Sequence, residues 1–365
     1  MIRIKARAPT ARAAVLPTVW GAVAVGYKLG CPLAQQNGLG ARIVTSAVFF
    51  AVGTGLIFQV RRTLLRELRL ARRAARAAQS VVLRPPPPRL DGLNVAAAQL
   101  SADRGASVGG DLYEAIGTEH GVRVVMGDVR GHGLSALGTA AAVLGSFREA
   151  AHDEPDLGRV LGRLERALAR HLRERARAEH PAHGGQDPAH PVAEEFVTLL
   201  LLEIGRDGEL RTLNCGHPWP YRLSGTAVEP LARTDPLPPL GPFPLPPEPE
   251  IRTCGRLLPG DSLILFTDGA EDARDARGRF FPLREVLRTA VRDQPAPPQA
   301  VLGTVFTALL RHTAGRPADD VAVLVLRNDR GRAGRPRTGA RDGDACGSAA
   351  RARPASMNRR PTTHL

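Results

Sequence analysis

At 365 residues the chain is longer than one hydrophobic core usually organises, since single cores stop growing at about 250–300 residues, so a principal domain with accessory segments is expected. The formal net charge of +14 is unevenly spread: the first ninety residues carry fifteen Lys/Arg against one acid, residues 330–365 carry nine Arg against two Asp, and the middle is therefore acidic. Strong basicity ordinarily suggests nucleic acid. With the basic residues confined to the two ends, the pI is no sign of DNA or RNA binding. Cys31, Cys215, Cys254 and Cys346 form no CxxC pair, which leaves neither a zinc site nor a disulfide framework. Neither Lys5 nor Lys28 follows the glycine pattern of a P-loop.

Two apolar segments open the chain. Ile43 to Val60, "IVTSAVFFAVGTGLIFQV", is uncharged and bracketed by Arg42 and Arg61-Arg62, long enough for a membrane-spanning helix of roughly 17–25 residues. Ala13 to Tyr27 is shorter, contains Pro17 and follows a basic leader. A transmembrane hairpin (about 13–27 and 43–60) is expected, a multi-pass anchor in the cell membrane. Its positively charged flanks place both ends, and the domain that follows, in the cytoplasm. Residues 61–89 then form a linker. Arg61 to Ala78 reads as a basic amphipathic helix with Leu64, Leu65, Leu68 and Ala71 on one side. It lies along anionic headgroups, pairs with a second copy in a homodimer, or is simply a solvated linker. Pro85 to Pro88 stops it.

From residue 90 to 328 strand-like and helical runs follow one another. Strands are expected at Leu93–Leu100, Val122–Gly127, Phe196–Ile204, Glu209–Cys215, Ser262–Thr267 and Val321–Arg327. Helices are expected at Leu134–Ala150, Asp156–Ala178, Pro282–Arg292 and near Ala300–His312. Consecutive strands with adjacent helices favour an α+β layered domain over a strict βαβ repeat. His180–Pro191 reads as a solvated loop, and residues 329–365, rich in Arg, Gly, Ala and Pro, as a disordered basic tail.

Aspartates stand at the ends of the apolar runs. Asp111 follows Gly109-Gly110, Asp128 closes one strand, Asp268 closes "SLILF" before Gly269, and Asp319-Asp320 open "VAVLVL". Singly, each is a common turn residue. Jointly, they suit hard divalent cations, which take carboxylate oxygens and water, and two such ions can activate one water for phosphoryl transfer. The spacing alone supports an acidic metal site.

The ordered stretches "VGGDLYEA", "VVMGDVRGHGLSAL", "FVTLLLLEI", "LNCGHPWPYRL", "LLPGDSLILFTDGAED" and "ADDVAVLVLRND" resemble the motifs of SpoIIE-type PPM (PP2C-like) bacterial serine/threonine protein phosphatases. The resemblance implies a PP2C-like β-sandwich flanked by helices and a centre of two or more Mn²⁺ or Mg²⁺ ions. It assigns the ligands to Asp111, Asp128, Asp268, Asp319 and the carbonyl of Val129, with Asp320 orienting its loop. It also implies a phosphorylated regulatory protein, of the anti-sigma antagonist type, as substrate. Glu114 replaces the second acid of the family's GGDxYD, Asp272 keeps the acid after TDG, and the 180–191 insert has no counterpart. His132 and His217 read as turn residues rather than proton donors. Two rivals remain: a pseudophosphatase that binds phosphoprotein without hydrolysis, against which the intact aspartate set argues, and a hydrolase of small phosphoesters.

Overall fold

The computed structural model describes residues 20–21, 39–101, 109–179, 195–292 and 296–331. The first apolar segment except Trp20 and Gly21, the His180–Pro191 insert and the tail from 332 lie outside the described residues.

A single helix α1, Leu39–Val82, carries both the apolar segment from Ile43 and the basic segment from Arg61. Its run of alanine, leucine and arginine contains no proline, so nothing in the sequence interrupts its hydrogen bonds. Among the described residues one stretch, Ser46–Glu67, is long and apolar enough to cross a membrane, and it is unburied. Trp20 packs on Phe49 with ring centroids 5.3 Å apart.

Among the described residues, eleven strands form two antiparallel sheets. β1 (Arg89–Leu90), β2 (Leu93–Leu100), β7 (Tyr221–Ser224), β8 (Ala227–Pro230), β10 (Ser262–Phe266) and β11 (Val321–Asn328) make one, in the order β1-β2-β11-β10-β7-β8. β3 (Asp111–Thr118), β4 (Gly121–Val129), β5 (Val197–Ile204), β6 (Glu209–Cys215) and β9 (Arg252–Arg256) follow one another across the second. Between the sheets lies a core that includes Val95, Val124, Met126, Leu200, Leu202, Leu265 and Leu324. Outside the second sheet pack α2 (Leu134–Asp153) and α3 (Leu157–Glu179), through Val143, Phe147, Leu161 and Leu164 onto Val125, Leu199 and Leu201. Outside the first sheet pack α5 (Leu283–Ala290) and α6 (Pro298–His312), through Leu287, Val301 and Val305 onto Ile264, Val323 and Val325. A one-turn helix α4, Gly269–Asp272, follows β10.

This four-layer arrangement explains the sequence pattern. Central strands are covered on both faces, so β10 and β11 are buried at every position and read as continuous apolar runs. The edge strands β8 and β9 are buried at few positions and carry polar residues, which is why periodicity did not reveal them. β3 escaped for another reason: Asp111, Glu114 and Gly117 break its apolar alternation.

Two arginines, one fully buried and one half-buried, tie helices to the second sheet. Arg123 of β4, fully buried, pairs with Glu203 of β5 at 2.8 Å and donates to the carbonyls of Ala151, Glu154 and Pro155. A cation there satisfies the orphan carbonyls at the end of α2 and complements its negative pole. Arg148 of α2 pairs with Glu114 of β3 at 2.8 Å and donates to the carbonyl of Val82 at 2.8 Å, joining the end of α1 to the sheet. Removing Arg123 leaves Glu203 and several carbonyls without their main partner. Arg123→Met is expected to cost about 3–5 kcal/mol in urea unfolding, and Arg123→Met with Glu203→Leu to recover part of that loss. A single variant as stable as the parent would show that the pair contributes little.

Candidate metal centre

One end of the sandwich gathers aspartates from both sheets. Asp111 begins β3 and Asp128 nearly ends β4, and the register sets them directly opposite one another. From the other sheet, Asp268 is the N-cap of α4 immediately after β10, and Asp319-Asp320 lead into β11. β10 and β11 pair from Ser262↔Arg327 to Phe266↔Val323, and the ladder continues where the Thr267 amide donates to the Ala322 carbonyl at 3.1 Å.

Thr267 joins the two halves. Its hydroxyl donates to Asp111 Oδ2 at 3.2 Å and accepts the Ala322 amide at 2.9 Å, so one buried side chain orients Asp111 from the opposite sheet. Gly110 permits the close approach: a Cβ there would lie 2.3 Å from the Val129 carbonyl oxygen and 2.9 Å from Asp128 Oδ1. The Val129 amide donates to the Gly110 carbonyl at 3.2 Å. The Val129 carbonyl therefore sits against β3 beside Asp128.

The electrostatics record uncompensated negative charge. Burial first, then the charges of Asp128 and Asp320, raise the Asp111 carboxyl well above its ordinary range, against the hydrogen bond from Thr267. Burial together with Asp268, Asp319 and Asp320 pushes Asp128 up to about 7. Burial and Asp319 raise Asp268 as well, although that residue is exposed by area. Like charges held together at this cost are what a divalent cation relieves. Among the described residues no three His, Cys, Asp or Glu side chains close into a ligand group. Mg²⁺ is usually held by only one or two carboxylates with water completing an octahedron, so an open set of aspartates with a neighbouring carbonyl fits such an ion.

All four aspartates singled out in the sequence thus converge. Two contributors were not singled out as site members. Asp320 is buried and its charge reaches both Asp111 and Asp128, while the adjacent Asp319 is exposed and its Oδ1 accepts the Asp320 amide at 2.8 Å. The doubled acid at a strand start was the available signal. Thr267 had no signal beyond its place before Asp268.

The histidines take structural places. His132 is exposed on the β4–α2 turn, between Gly131 and Gly133, whose φ angles of 106° and 94° suit glycine. His217 is buried; its Nδ1 lies 3.2 Å from Thr198 Oγ1, and its backbone exchanges two 2.8 Å hydrogen bonds with the Asn214 amide group. Burial pushes its imidazole down to about 3, so it is neutral near pH 7.

A family model described as Stage II sporulation protein E (SpoIIE) matches residues 118–329. The chain belongs to the SpoIIE family. It is thereby placed among the PPM-type serine/threonine protein phosphatases. Of solved structures, the RsbU and RsbW domains of a Mycobacterium tuberculosis protein align with a TM-score of 0.51 at 21% identity, over 67% of this chain and 62% of that one. The SiaA-PP2C domain of Pseudomonas aeruginosa aligns with a TM-score of 0.51 at 18% identity, over 73% of this chain and 98% of that one. At these identities the likeness establishes the PP2C-like fold. No curated protein sequence matches the chain.

The raised Asp128 gives the candidate centre a pH signature. A carboxyl whose folded pKa lies above its unfolded value contributes stability that is full below about pH 4 and is lost as pH rises through about 7. In chelator-treated protein, Asp128→Asn is therefore expected to be more stable than the parent at pH 8, with the difference vanishing toward pH 4. Mn²⁺ at pH 8 is expected to raise the parent's melting temperature and to leave the variant's nearly unmoved. Equal pH dependence of the two proteins would refute the crowding of charge at Asp128.

Proposed function

We propose that the chain is a metal-dependent protein phosphatase that hydrolyses phosphoserine or phosphothreonine on a regulatory protein. The observation that carries this reading is the convergence of Asp111 and Asp128 from one sheet with Asp268 and Asp319 from the other, at the end of a fold whose family is that of PPM phosphatases.

In this reading the ligands are Asp111, Asp128, Asp268, Asp319 and the carbonyl of Val129. Two or more Mn²⁺ or Mg²⁺ ions bound there would supply a nucleophilic water and neutralise charge on the phosphoryl oxygens. The protein's own part is placement. Thr267 holds Asp111, Gly110 lets Val129 and Asp128 approach, and the two sheets keep carboxylates together that would otherwise repel.

Side-chain chemistry argues against a covalent route through cysteine. Cys215 is buried, and burial pushes its thiol up to about 12, so it supplies no thiolate. Neutral, buried His217 is likewise no acid for the leaving oxygen. The family resemblance supports a phosphorylated antagonist of an anti-sigma factor as the substrate class.

The domains we propose are a membrane anchor over 1–60, a linker over 61–89, the phosphatase domain over 90–328 and a basic tail over 329–365. Supporting the anchor are the exposed apolar residues Ile43, Val44, Val48, Phe50, Ile57 and Phe58 along α1, with Trp20 against Phe49 in favour of a hairpin. The Arg148 contact with Val82 and Glu114, three residues beyond Asp111, supports a linker that carries dimerisation or membrane state to the centre.

Two measurements test this reading. The full chain is expected to hydrolyse a phosphothreonine peptide only with Mn²⁺ or Mg²⁺, and Asp128→Asn or Asp268→Asn to lower kcat/KM by at least about 100-fold, the factor that corresponds to ~3 kcal/mol. Activity without a divalent ion, or activity that survives both substitutions, would sink it. Deleting residues 1–84 is expected to release the protein from the membrane fraction and to change its oligomeric state. A truncated protein that stays with membranes would refute the anchor.

A further inference from the structure

One turn beyond Asp268, an open pocket of about 470 Å³ lies between α4, β7 and the segment that leads into α5. Tyr221, Phe280 and Phe281 provide aromatic walls, and Glu271, Asp272 and Glu285 provide carboxylates. Tyr221 is fixed on both sides: its ring stacks on Phe266 with centroids 5.7 Å apart, and its hydroxyl donates to Glu271 Oε1 at 3.2 Å. Phe280 is more than half exposed, and the Arg274 guanidinium lies 3.9 Å from its ring centroid, so a cation already uses that face.

Among the lining residues three carboxylates stand against one arginine. Glu285 is paired with Arg288 at 2.6 Å. Arg284, the one basic residue of the lining, directs its Nε to the Val228 carbonyl at 3.3 Å. Glu271 receives a hydrogen bond from neutral Tyr221 and pairs with no cation among the described residues. Asp272 lies at the rim on the side of the metal centre, its amide donating to the Asp268 carbonyl at 2.8 Å. Carboxylates beside aromatic rings are the surroundings that a desolvated guanidinium or ammonium prefers.

We propose that this pocket receives a cationic side chain, Arg or Lys, of the phosphoprotein substrate, and so selects phosphosites flanked by a basic residue. The helical turn between Asp268 and Asp272 spans about 5.4 Å, and an extended peptide advances roughly 3.3–3.6 Å per residue. The cation therefore stands one or two residues from the phosphorylated one. Glu271 is the specificity-determining residue, held by Tyr221. This inference rests on the phosphatase reading above.

The test compares three phosphothreonine peptides, with Arg, Ala or Glu at the flanking positions, and p-nitrophenyl phosphate, which has no flank, on the full chain with Mn²⁺. The parent is expected to favour the Arg peptide, and Glu271→Gln to raise KM for that peptide by about tenfold with kcat unchanged. The same variant should leave the Ala peptide and p-nitrophenyl phosphate unaffected, and Glu271→Lys should shift preference to the Glu peptide. No preference in the parent, a preference for the Glu peptide, or an equal loss on every substrate in Glu271→Gln would overturn the proposal. If the parent hydrolyses none of the four, the phosphatase reading fails by itself. Fluorescence anisotropy with the labelled Arg peptide then decides the pocket: tighter binding by the parent than by Glu271→Gln upholds it, and equal binding overturns it.

Discussion

Like charges that must be brought together are the constraint on which the rest of this structure depends. Aspartates from four chain segments meet at one end of the sandwich, where burial and mutual repulsion raise Asp111, Asp128 and Asp268 above the ordinary carboxylate range. Nothing local would hold such residues together. The cost is carried by the apolar layers behind them, in which strands β4, β5, β10 and β11 are buried along most of their length. Burial of this kind is worth roughly 25 cal/mol per Å² of apolar surface, enough over many side chains to oppose a few unfavourable charges.

The polar contacts that cross between layers all serve position. Thr267 reaches from one sheet to Asp111 of the other. Arg123 anchors the far end of α2 and the turn into α3, so the helix that starts four residues after Arg130 has a fixed direction from the centre outward. Glu195, just before β5, is held by Arg175 and Thr139 at the other side of the same helix pair. Arg123 and Glu195 are buried charges with several partners, an arrangement that is costly to break singly and that therefore favours one register of helices on sheet. Arg148 extends the same logic to the linker helix.

How much of this was legible differs from element to element. The six expected strands and four expected helices all appear, with ends moved by a few residues, because their apolar runs are long and bounded by turn residues. β1, β3, β7, β8 and β9 did not show: β3 is interrupted by Asp111, Glu114 and Gly117, and the others are short strands with few buried positions, in which few need to be apolar. The spanning segment and the basic segment that follows it at Arg61 were read separately because the charge changes there, yet backbone hydrogen bonding is indifferent to that change and one helix carries both. At the centre, Asp111, Asp128, Asp268 and Asp319 were visible from their places beside glycine and strand ends. Asp320 was visible as the second of a doubled acid but was given only a loop-orienting role, and Thr267 had no signal of its own, since its importance lies in which segment it faces.

The sequence by itself determined the kinds of layer, the family and the identity of the acids, because apolar runs, turn residues and ordered motifs are local properties of the chain. Tertiary structure alone decided which acids share a field, that Asp320 lies inward of Asp319, that His217 is sealed and neutral, and that an acidic aromatic pocket opens one turn from Asp268. Those outcomes depend on distances between segments far apart in the chain and on the water excluded between them, and neither is written in any one stretch of residues.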